Sequence, residues 1–261
     1  MDIRLNGRSA VVTGGSKGLG LAIAAEYAKS GADVVILARD QGTLAEAKAK
    51  IQAGAPGRKV AAISCDVSKA ADIRKTYDQI MSEFGKIDIY VNNAGQSTRG
   101  PSETLTDEMW QADLDLKLFA QIRFCRLIFP QMKQRRWGRI ISVLNIGAKA
   151  PGADSAPTSV SRAAQMAFTK ALSQEGAPHN VLVNSLHVGV IMSDQIKRRY
   201  DRERPNVSFE QYVAEAGRGV PLGRMGRAEE FANIATFLAS DAASYVTGCA
   251  INVDGGRSPV V

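Results

Sequence analysis

The sequence predicts an α/β protein whose parallel sheet is covered by helices on both faces. Apolar, β-branched runs alternate with segments of helical period, which is typical of parallel strands joined by helical crossovers. A glycine-rich turn also separates the first strand from the first helix. The predicted strands are Ser9–Thr13, Asp33–Ala38, Val60–Cys65, Ile87–Asn92, Arg139–Leu144, Val181–His187 and Ala250–Val253. The predicted helices are Leu19–Ser30, Gln41–Ala53, Lys69–Phe84, Thr106–Arg135, Ser159–Glu175 and Ala228–Ala239.

Local patterns support the individual elements. The strands are short apolar runs rich in β-branched residues. In the helix Lys69–Phe84 the apolar side chains form one stripe, at Ile73, Tyr77, Ile80, Met81 and Phe84. Neither a linker nor a repeat divides the 261 residues, so we expect one domain over 1–261. The polar, charged segment 191–219 breaks the alternation, and we interpret it as a mobile lid or a plain surface excursion.

Composition limits the classes of function. A hydrophobic fraction of 45% and a charged fraction of 23% are ordinary for a globular protein. No run approaches the roughly 20 apolar residues of a membrane span, and the N-terminus lacks a signal-peptide core. We therefore expect a cytoplasmic protein without membrane contact. Cys65, Cys125 and Cys249 have no metal-ligand spacing, so we expect buried free thiols and no metal site.

The net charge of +7 comes largely from basic residues in segments 133–139 and 197–204. We interpret both as solvated faces; for the second, gripping an anionic substrate is the alternative. No aromatic interleaving or nucleic-acid module accompanies these charges, so nucleic-acid binding is not expected.

Residues 13–20, with the sequence Thr-Gly-Gly-Ser-Lys-Gly-Leu-Gly, lie between an apolar run and an amphipathic stretch. Glycines permit a tight turn and a close backbone approach, and the positive end of a helix dipole favours phosphate. A strand, a glycine-rich turn and a helix in this order place a dinucleotide pyrophosphate on the helix N-terminus. The segment predicts a dinucleotide site.

Further motifs follow in order along the chain. Asp66-Val67 follows the third strand, residues 92–95 (Asn-Asn-Ala-Gly) end the fourth, and residues 246–256 close the fold with Val-Thr-Gly and Asn-Val-Asp-Gly-Gly. With the glycine turn, these motifs resemble the short-chain dehydrogenase/reductase family from end to end. The resemblance implies a Rossmann-like, doubly wound, mainly parallel seven-stranded sheet. It also implies an oxidoreductase acting on a small-molecule carbonyl or alcohol, and a homotetramer or homodimer built on the helices Thr106–Arg135 and Ser159–Glu175.

The same resemblance implies which residues contact the cofactor. They are, for the pyrophosphate, Gly14, Ser16, Gly18, Leu19 and Gly20; for the adenine, Asp66 and Val67; for the ribose, Asn92, Ala94, Gly95 and Arg162; and for the nicotinamide, Gly189, Ile191 and Ser193. One departure is Val188, which replaces the proline usual before that glycine.

The choice of cofactor depends on charge. NAD sites usually place an acid after the second strand, where it accepts from the ribose 2′-hydroxyl. Here Ala38-Arg39-Asp40 stands at that point and Lys17 lies inside the glycine turn. Two cations would pair with a 2′-phosphate, so we predict NADP(H). Asp40 is the residue that argues for NAD(H).

The proton-transfer residues depart from the family pattern. Relatives mostly use Asn, Ser, Tyr and Lys, and by resemblance these positions hold Lys117, Asn145, Thr158 and Arg162. A threonine hydroxyl does not ionise near neutral pH, and arginine keeps its proton. Asn145 can donate to a substrate carbonyl and Arg162 can clamp ribose hydroxyls. Lys117 can titrate, because a dry cleft beside Arg162 would lower its pKa.

Each residue also has a plainer interpretation. Thr158 can cap a helix, Lys117 can point outward, and Asn145 can merely end a strand. His187 is interpreted as a packing residue. Tyr200 and Tyr212 in segment 191–219 could supply a phenol, although most such tyrosines only make contacts.

The sequence is compatible with two functions of different classes. The first is an NADP(H)-dependent oxidoreductase with an altered proton-transfer site. The alternative is a catalytically impaired NADP(H)-binding protein that senses the cofactor or stabilises a partner, because the nucleotide half is intact while the usual acid is missing.

Overall fold

The structure, a computed structural model, describes residues 3–204 and 206–261, apart from the side chains of residues 194, 195 and 198. Within this part, seven parallel strands form one sheet in the order β3-β2-β1-β4-β5-β6-β7. The strands are β1 (Ser9–Thr13), β2 (Asp33–Ala38), β3 (Val60–Ser64), β4 (Ile89–Asn92), β5 (Gly138–Asn145), β6 (Val181–Val188) and β7 (Ala250–Val253). The predicted doubly wound α/β class is confirmed.

Helices cover both faces of the sheet. Those in the described residues are α1 (Gly18–Lys29), α2 (Gln41–Gly54), α3 (Ala70–Phe84), α4 (Asp107–Leu114), α5 (Ala120–Arg135), α6 (Thr158–Gly176), α7 (Asp194–Glu203), α8 (Phe209–Arg218) and α9 (Ala228–Ala239). Successive strand residues point to opposite faces, so Val12 of β1 packs in the core with α1, α2 and α9, and its neighbour Val11 packs in the core with α3, α5 and α6.

Two predicted segments differ from the structure. The predicted single helix Thr106–Arg135 is instead α4 and α5, joined by a π-helical turn, Asp115–Phe119. A hydropathy pattern does not reveal the wider winding of such a turn. Segment 191–219 contains the helices α7 and α8, which were not predicted. The other predicted elements differ by no more than two residues at either end.

Two predictions about buried and solvated side chains need correction. Cys65 and Cys125 are buried, but Cys249 is exposed beside the start of β7. Within segment 133–139, Arg139 is 1% exposed because it stacks on Trp137 and pairs with Asp241. This part of the segment is therefore not a solvated face.

The carboxyl ends of the strands meet at one edge of the sheet. Thr13, Ala38, Asn92, Asn145 and Val188 end β1, β2, β4, β5 and β6 there. In open α/β sheets this edge binds ligands. Among the described residues, no helix combines the length and apolarity that crossing a membrane requires.

Candidate active site

The glycine turn after β1 is shaped by backbone contacts. Gly14 has φ +63° and Gly18 has φ +54°, both in the region that favours glycine. A Cβ on Gly20 would collide with the carbonyl of Gly14, so the first turn of α1 packs directly on the loop. The side chain of Lys17, the residue before α1, makes no capping hydrogen bond to the helix. The arrangement presents a helix N-terminus to an anion.

Thr13 and Asn93 fasten this turn to the segment after β4. Thr13 Oγ1 accepts from the backbone N–H groups of Asn93 (2.9 Å) and Ala94 (3.0 Å). Asn93 Nδ2 donates to the carbonyls of Thr13 (2.9 Å) and Gly14 (3.2 Å). Asn92 differs, because its side chain is fully buried and accepts from Tyr90. Its side chain is therefore engaged at the end of β4.

The predicted ribose cations lie on the surface beside the turn. Lys17 and Arg39 are both exposed. Asp40 caps α2, because its Oδ1 accepts from Thr43 N–H at 2.7 Å. That bond, the Thr43 hydroxyl and the charge of Lys17 hold the pKa of Asp40 below its usual range. Asp40, the residue that argued for NAD(H), therefore uses its carboxylate to cap α2.

The residues predicted to contact the adenine form the next part of the edge. Asp66 Oδ1 accepts from Ser68 N–H (3.1 Å) and Ser68 Oγ (2.7 Å). Burial raises the pKa of Asp66, but these bonds, with Lys69 and Arg39 nearby, outweigh it and leave the pKa below its ordinary value. Val67 is buried in the core on the α3 face.

The predicted nicotinamide residues lie on the segment that leaves β6. Gly189 packs against Asp254, leaving no room for a Cβ. Ile191 is buried and pairs with Gly226 in a parallel bridge. Ser193 approaches the glycine turn, since a Cβ on Gly18 would lie 3.7 Å from that of Ser193.

Lys117 points inward from the π-helical turn and is 0% exposed. Its ammonium forms a buried ion pair with Asp113, one turn earlier, and donates to Thr158 Oγ1 at 2.7 Å. Burial and the charge of Arg162 lower the pKa of Lys117 to about 8, although Asp113 opposes the shift. The interpretation of Lys117 as an outward surface residue is therefore wrong.

Thr158 begins α6 but does not cap it. Its hydroxyl accepts from Lys117 and from Thr98 N–H (3.0 Å) and donates to the Thr98 carbonyl at 2.8 Å. The capping interpretation is thus wrong, because the side chain faces the segment after β4 rather than its own helix. Ser161 completes the cluster by donating to Asp113 Oδ2 at 2.6 Å.

Arg162 lies one turn after Thr158, against the segment that follows β4. A Cβ on Gly95 would be 2.5 Å from Arg162 Nη2 and 3.8 Å from Lys117 Cε. Burial lowers the pKa of Arg162 to about 10, partly offset by Asp113. The guanidinium therefore stays charged at neutral pH. The structure brings Lys117, Thr158 and Arg162 together.

Asn145 ends β5, and its Oδ1 is buried without a hydrogen-bond partner. A Cβ on Gly147 would lie 3.2 Å from that oxygen. Behind it, His187 Nδ1 lies 3.1 Å from the Asn145 carbonyl and Nε2 lies 3.0 Å from Ser185 Oγ. Burial lowers the pKa of His187 to about 4, so the ring is neutral. This geometry agrees with a packing role for His187.

The helices α7 and α8 carry charges that largely pair with each other. The ion pairs are Lys197–Asp201, Arg199–Glu203, Arg202–Glu203 and Arg204–Glu215. Tyr200 donates its hydroxyl to the Val207 carbonyl at 2.7 Å and packs on Phe209 and Tyr212. Its phenol is thus engaged within segment 191–219.

Sequence reasoning passed over three residues of this site: Asn93, Asp113 and Gln165. A carboxylate four residues before Lys117 is a spacing at which helical side chains meet, so Asp113 could have been found. Gln165 and Asn93 act through backbone carbonyls that only the fold brings near.

The strand order and the glycine turn at the carboxyl edge define a dinucleotide-binding, doubly wound α/β protein. A family model described as enoyl-(acyl carrier protein) reductase matches residues 14–258. The 3-oxoacyl-acyl-carrier-protein reductase of Chlamydia trachomatis is 34% identical over 251 residues, covering 96% of this chain and 97% of that protein. The chain therefore belongs to the short-chain dehydrogenase/reductase family.

Solved structures agree with this assignment. L-sorbose reductase from Gluconobacter frateurii, complexed with NADPH and L-sorbose, is 33% identical, with a TM-score of 0.93 over 100% of both chains. A short-chain oxidoreductase from Pseudomonas aeruginosa PAO1, bound to NADPH and described as containing an atypical catalytic center, is 35% identical. Its TM-score is 0.92, with 99% of both chains covered.

Proposed function

We propose that the protein is an NADP(H)-dependent oxidoreductase that interconverts a carbonyl and an alcohol, with Lys117 as the proton donor. The observation that carries this proposal is the hydrogen bond of 2.7 Å from Lys117 Nζ to Thr158 Oγ1. By family resemblance Thr158 stands at the position of the usual tyrosine. A titratable group therefore lies beside the place where relatives keep their acid.

The residues of the carboxyl edge fit a phosphorylated dinucleotide. The positive φ angles of Gly14 and Gly18 open the turn, and α1 begins there without a side-chain cap from Lys17. Lys17 and Arg39 would hold the 2′-phosphate, while Asp40 is engaged by α2. The relatives solved with NADPH support the same cofactor. The remaining predicted contacts, from Ser16, Leu19, Gly20, Asp66, Val67, Asn92, Ala94, Gly95, Gly189, Ile191 and Ser193, belong to this proposal.

The cofactor, when bound, supplies a hydride to the carbonyl carbon. The protein then has to give the resulting alkoxide a proton. Lys117 holds that proton on Nζ, and its pKa of about 8 lets both protonation states exist near neutral pH. Thr158 orients the ammonium, and Asn145 would steady the substrate oxygen by a hydrogen bond.

The surrounding charges have separate tasks. Arg162 stays protonated, so it supplies positive potential and a clamp for ribose hydroxyls rather than a proton. Asp113 keeps Lys117 charged in a dry site, because a buried ammonium without a counter-ion would give up its proton. Ser161 in turn holds Asp113.

Segment 191–219 would act as a lid over the substrate. An anionic substrate receives weaker support than a neutral one, because the cations at 197, 199, 202 and 204 are already in ion pairs. A homotetramer or homodimer is also part of the proposal. Met109 (37% exposed), Phe119 (37%) and Val160 (50%) present apolar surface on α4, the π-helical turn and α6.

The test is NADPH oxidation with a panel of carbonyl compounds. The panel includes a ketose and a 3-oxoacyl thioester, which the named relatives suggest. Lys117→Met is combined with Asp113→Asn, since an unpaired buried carboxylate would itself destabilise the fold. We expect kcat to fall by about 10²–10⁴ while the NADPH dissociation constant stays unchanged.

Lys149→Met is the matched control. This lysine is likewise held by hydrogen bonds, to the Ala250 carbonyl (2.6 Å) and Asn252 Oδ1 (2.8 Å), but they tie it to β7 rather than to Asp113 or Thr158. Its loss should therefore leave kcat unaltered. Full activity of the Lys117 variant would contradict the assignment of the proton donor. Tight NADPH binding with no turnover across the panel would favour the alternative, a catalytically impaired protein that senses the cofactor or stabilises a partner.

A further inference from the structure

A chain of buried polar side chains runs from the Lys117 site toward the sheet. It consists of Gln165 and Thr169 on α6, Gln121 on α5 and Ser142 on β5. Gln121 Nε2 donates to Ser142 Oγ at 2.8 Å. The same Ser142 oxygen lies 3.2 Å from Thr169 Oγ1. Buried amides are costly unless their hydrogen bonds are satisfied. These hydrogen-bonded side chains are therefore expected to have a role besides core packing.

Gln165 is the member that touches the proposed proton-transfer residues. Its Oε1 accepts from Arg162 Nη1 at 2.9 Å. Its Nε2 donates to the Lys117 carbonyl at 3.0 Å and to Gln121 Oε1 at 2.9 Å. A guanidinium can only donate and a backbone carbonyl can only accept, so these partners fix the orientation of the amide.

The hydrogen bond from Gln165 to the Lys117 carbonyl joins Gln165 to an irregular part of the helix. Lys117 lies in the π-helical turn, and such turns shift the regular hydrogen-bond register. Gln165 thereby connects the backbone that carries one cation to the side chain of the other. Lys117 and Arg162 repel each other in a site that excludes water, so their separation has to be held by neutral or negative groups.

We propose that Gln165 is a positioning residue: its amide ties the Arg162 guanidinium to the π-helical turn that carries Lys117 and so fixes the distance between the two cations. The effect of Gln165 on turnover rests on the proposed function, whereas its effect on the pKa of Lys117 does not. The charged groups that act on Lys117 are Arg162 from α6 and Asp113 from α4. On the same long helix, Asp115 pairs with Arg123 at 2.7 Å.

The test measures the Lys117 pKa directly, by NMR titration of ¹³C-labelled lysine side chains in the cofactor-free protein. The Lys117→Met/Asp113→Asn spectrum assigns the signal. Gln165→Met keeps the length of the side chain and removes its three hydrogen bonds, to Arg162, Lys117 and Gln121. With Arg162 released from its anchor, we expect the Lys117 pKa to rise by roughly one unit, and the alkaline limb of kcat to move upward equally.

Gln121→Met is the matched control, because Gln121 is equally buried and bonded but does not touch Arg162. It should lower the melting temperature as Gln165→Met does and leave the Lys117 pKa unchanged. An unchanged pKa in Gln165→Met, or an equal rise in Gln121→Met, would overturn the proposal.

Gln165→Leu is the second variant, used if Gln165→Met does not fold. It also removes the amide that holds Arg162 and adds no charge, so the Lys117 pKa should again rise. An unshifted pKa would count against Gln165. If the wild-type protein turns over no carbonyl, the proposed function fails, yet the titration still decides the role of Gln165.

Discussion

The predicted nucleotide half and the proposed proton-transfer half of this site are built in different ways. Around the glycine turn the shape is set by backbone, because Gly14 and Gly18 have positive φ angles and Gly20 packs against the Gly14 carbonyl. The side chains of Thr13 and Asn93 then join this turn to the segment after β4. Around Lys117 the shape is set by buried side chains from two helices that are distant in the chain: Asp113 precedes Lys117 on one, and Thr158 and Arg162 lie on α6. A backbone site depends on local residue spacing, whereas a side-chain network depends on how distant segments pack.

The largest effect in the nucleotide half should come from Gly20→Ala. The added methyl would collide with the Gly14 carbonyl, and such overpacking costs about 1–3 kcal/mol. We expect NADPH binding, measured by calorimetry, to weaken by roughly 10–100-fold.

Gly152→Ala is the control, since a Cβ there meets nothing within 4 Å. Unaltered NADPH affinity in Gly20→Ala would break the comparison, because the turn would then tolerate a side chain where the account requires bare backbone.

The next largest effect concerns the choice of cofactor. Replacing both Lys17 and Arg39 by Ala removes the cations proposed for the 2′-phosphate. We expect NADPH affinity to fall by roughly tenfold or more while NADH affinity is retained. Lys50→Ala, an exposed cation on α2, serves as the charge control. An equal loss for NADPH and NADH would contradict the assignment of the 2′-phosphate contacts.

The smallest effect is expected at Asp40. Because its carboxylate caps α2, Asp40→Ala should lower the melting temperature by a few degrees and leave the NADPH-to-NADH preference unchanged. Asp40→Asn can keep the capping bond and should be close to wild type. A reversal of cofactor preference in Asp40→Ala would show that this residue binds the ribose after all.

The sequence predicts the strands and the glycine turn well because both depend on local patterns. Val11 and Val12 alternate between the two faces of β1, and the turn follows directly. The π-helical turn and the helices of segment 191–219 were not predicted from the sequence. The first is a change in winding that hydropathy does not record, and the second pairs its charges within itself, as between Arg199 and Glu203.

The cluster proposed for proton transfer could be predicted from the sequence only in part. Lys117, Thr158 and Arg162 follow from resemblance, but their mutual contacts depend on how α6 packs against the π-helical turn. Asp113 and Gln165 correspond to no motif, and their importance comes from contacts with Lys117 and Arg162. Such partners become visible only when the helices are placed side by side.

The pH dependence of carbonyl reduction tests the central claim, that Lys117 supplies the proton, most directly. Reduction needs the protonated amine, and burial together with Arg162 lowers the pKa of Lys117 to about 8. With the best substrate of the panel, kcat should be constant below that pH and fall about tenfold per unit above it. This alkaline limb should be absent in Lys117→Met/Asp113→Asn, and alcohol oxidation should show the opposite slope. A wild-type profile without the limb, or the same limb in the variant, would contradict the account.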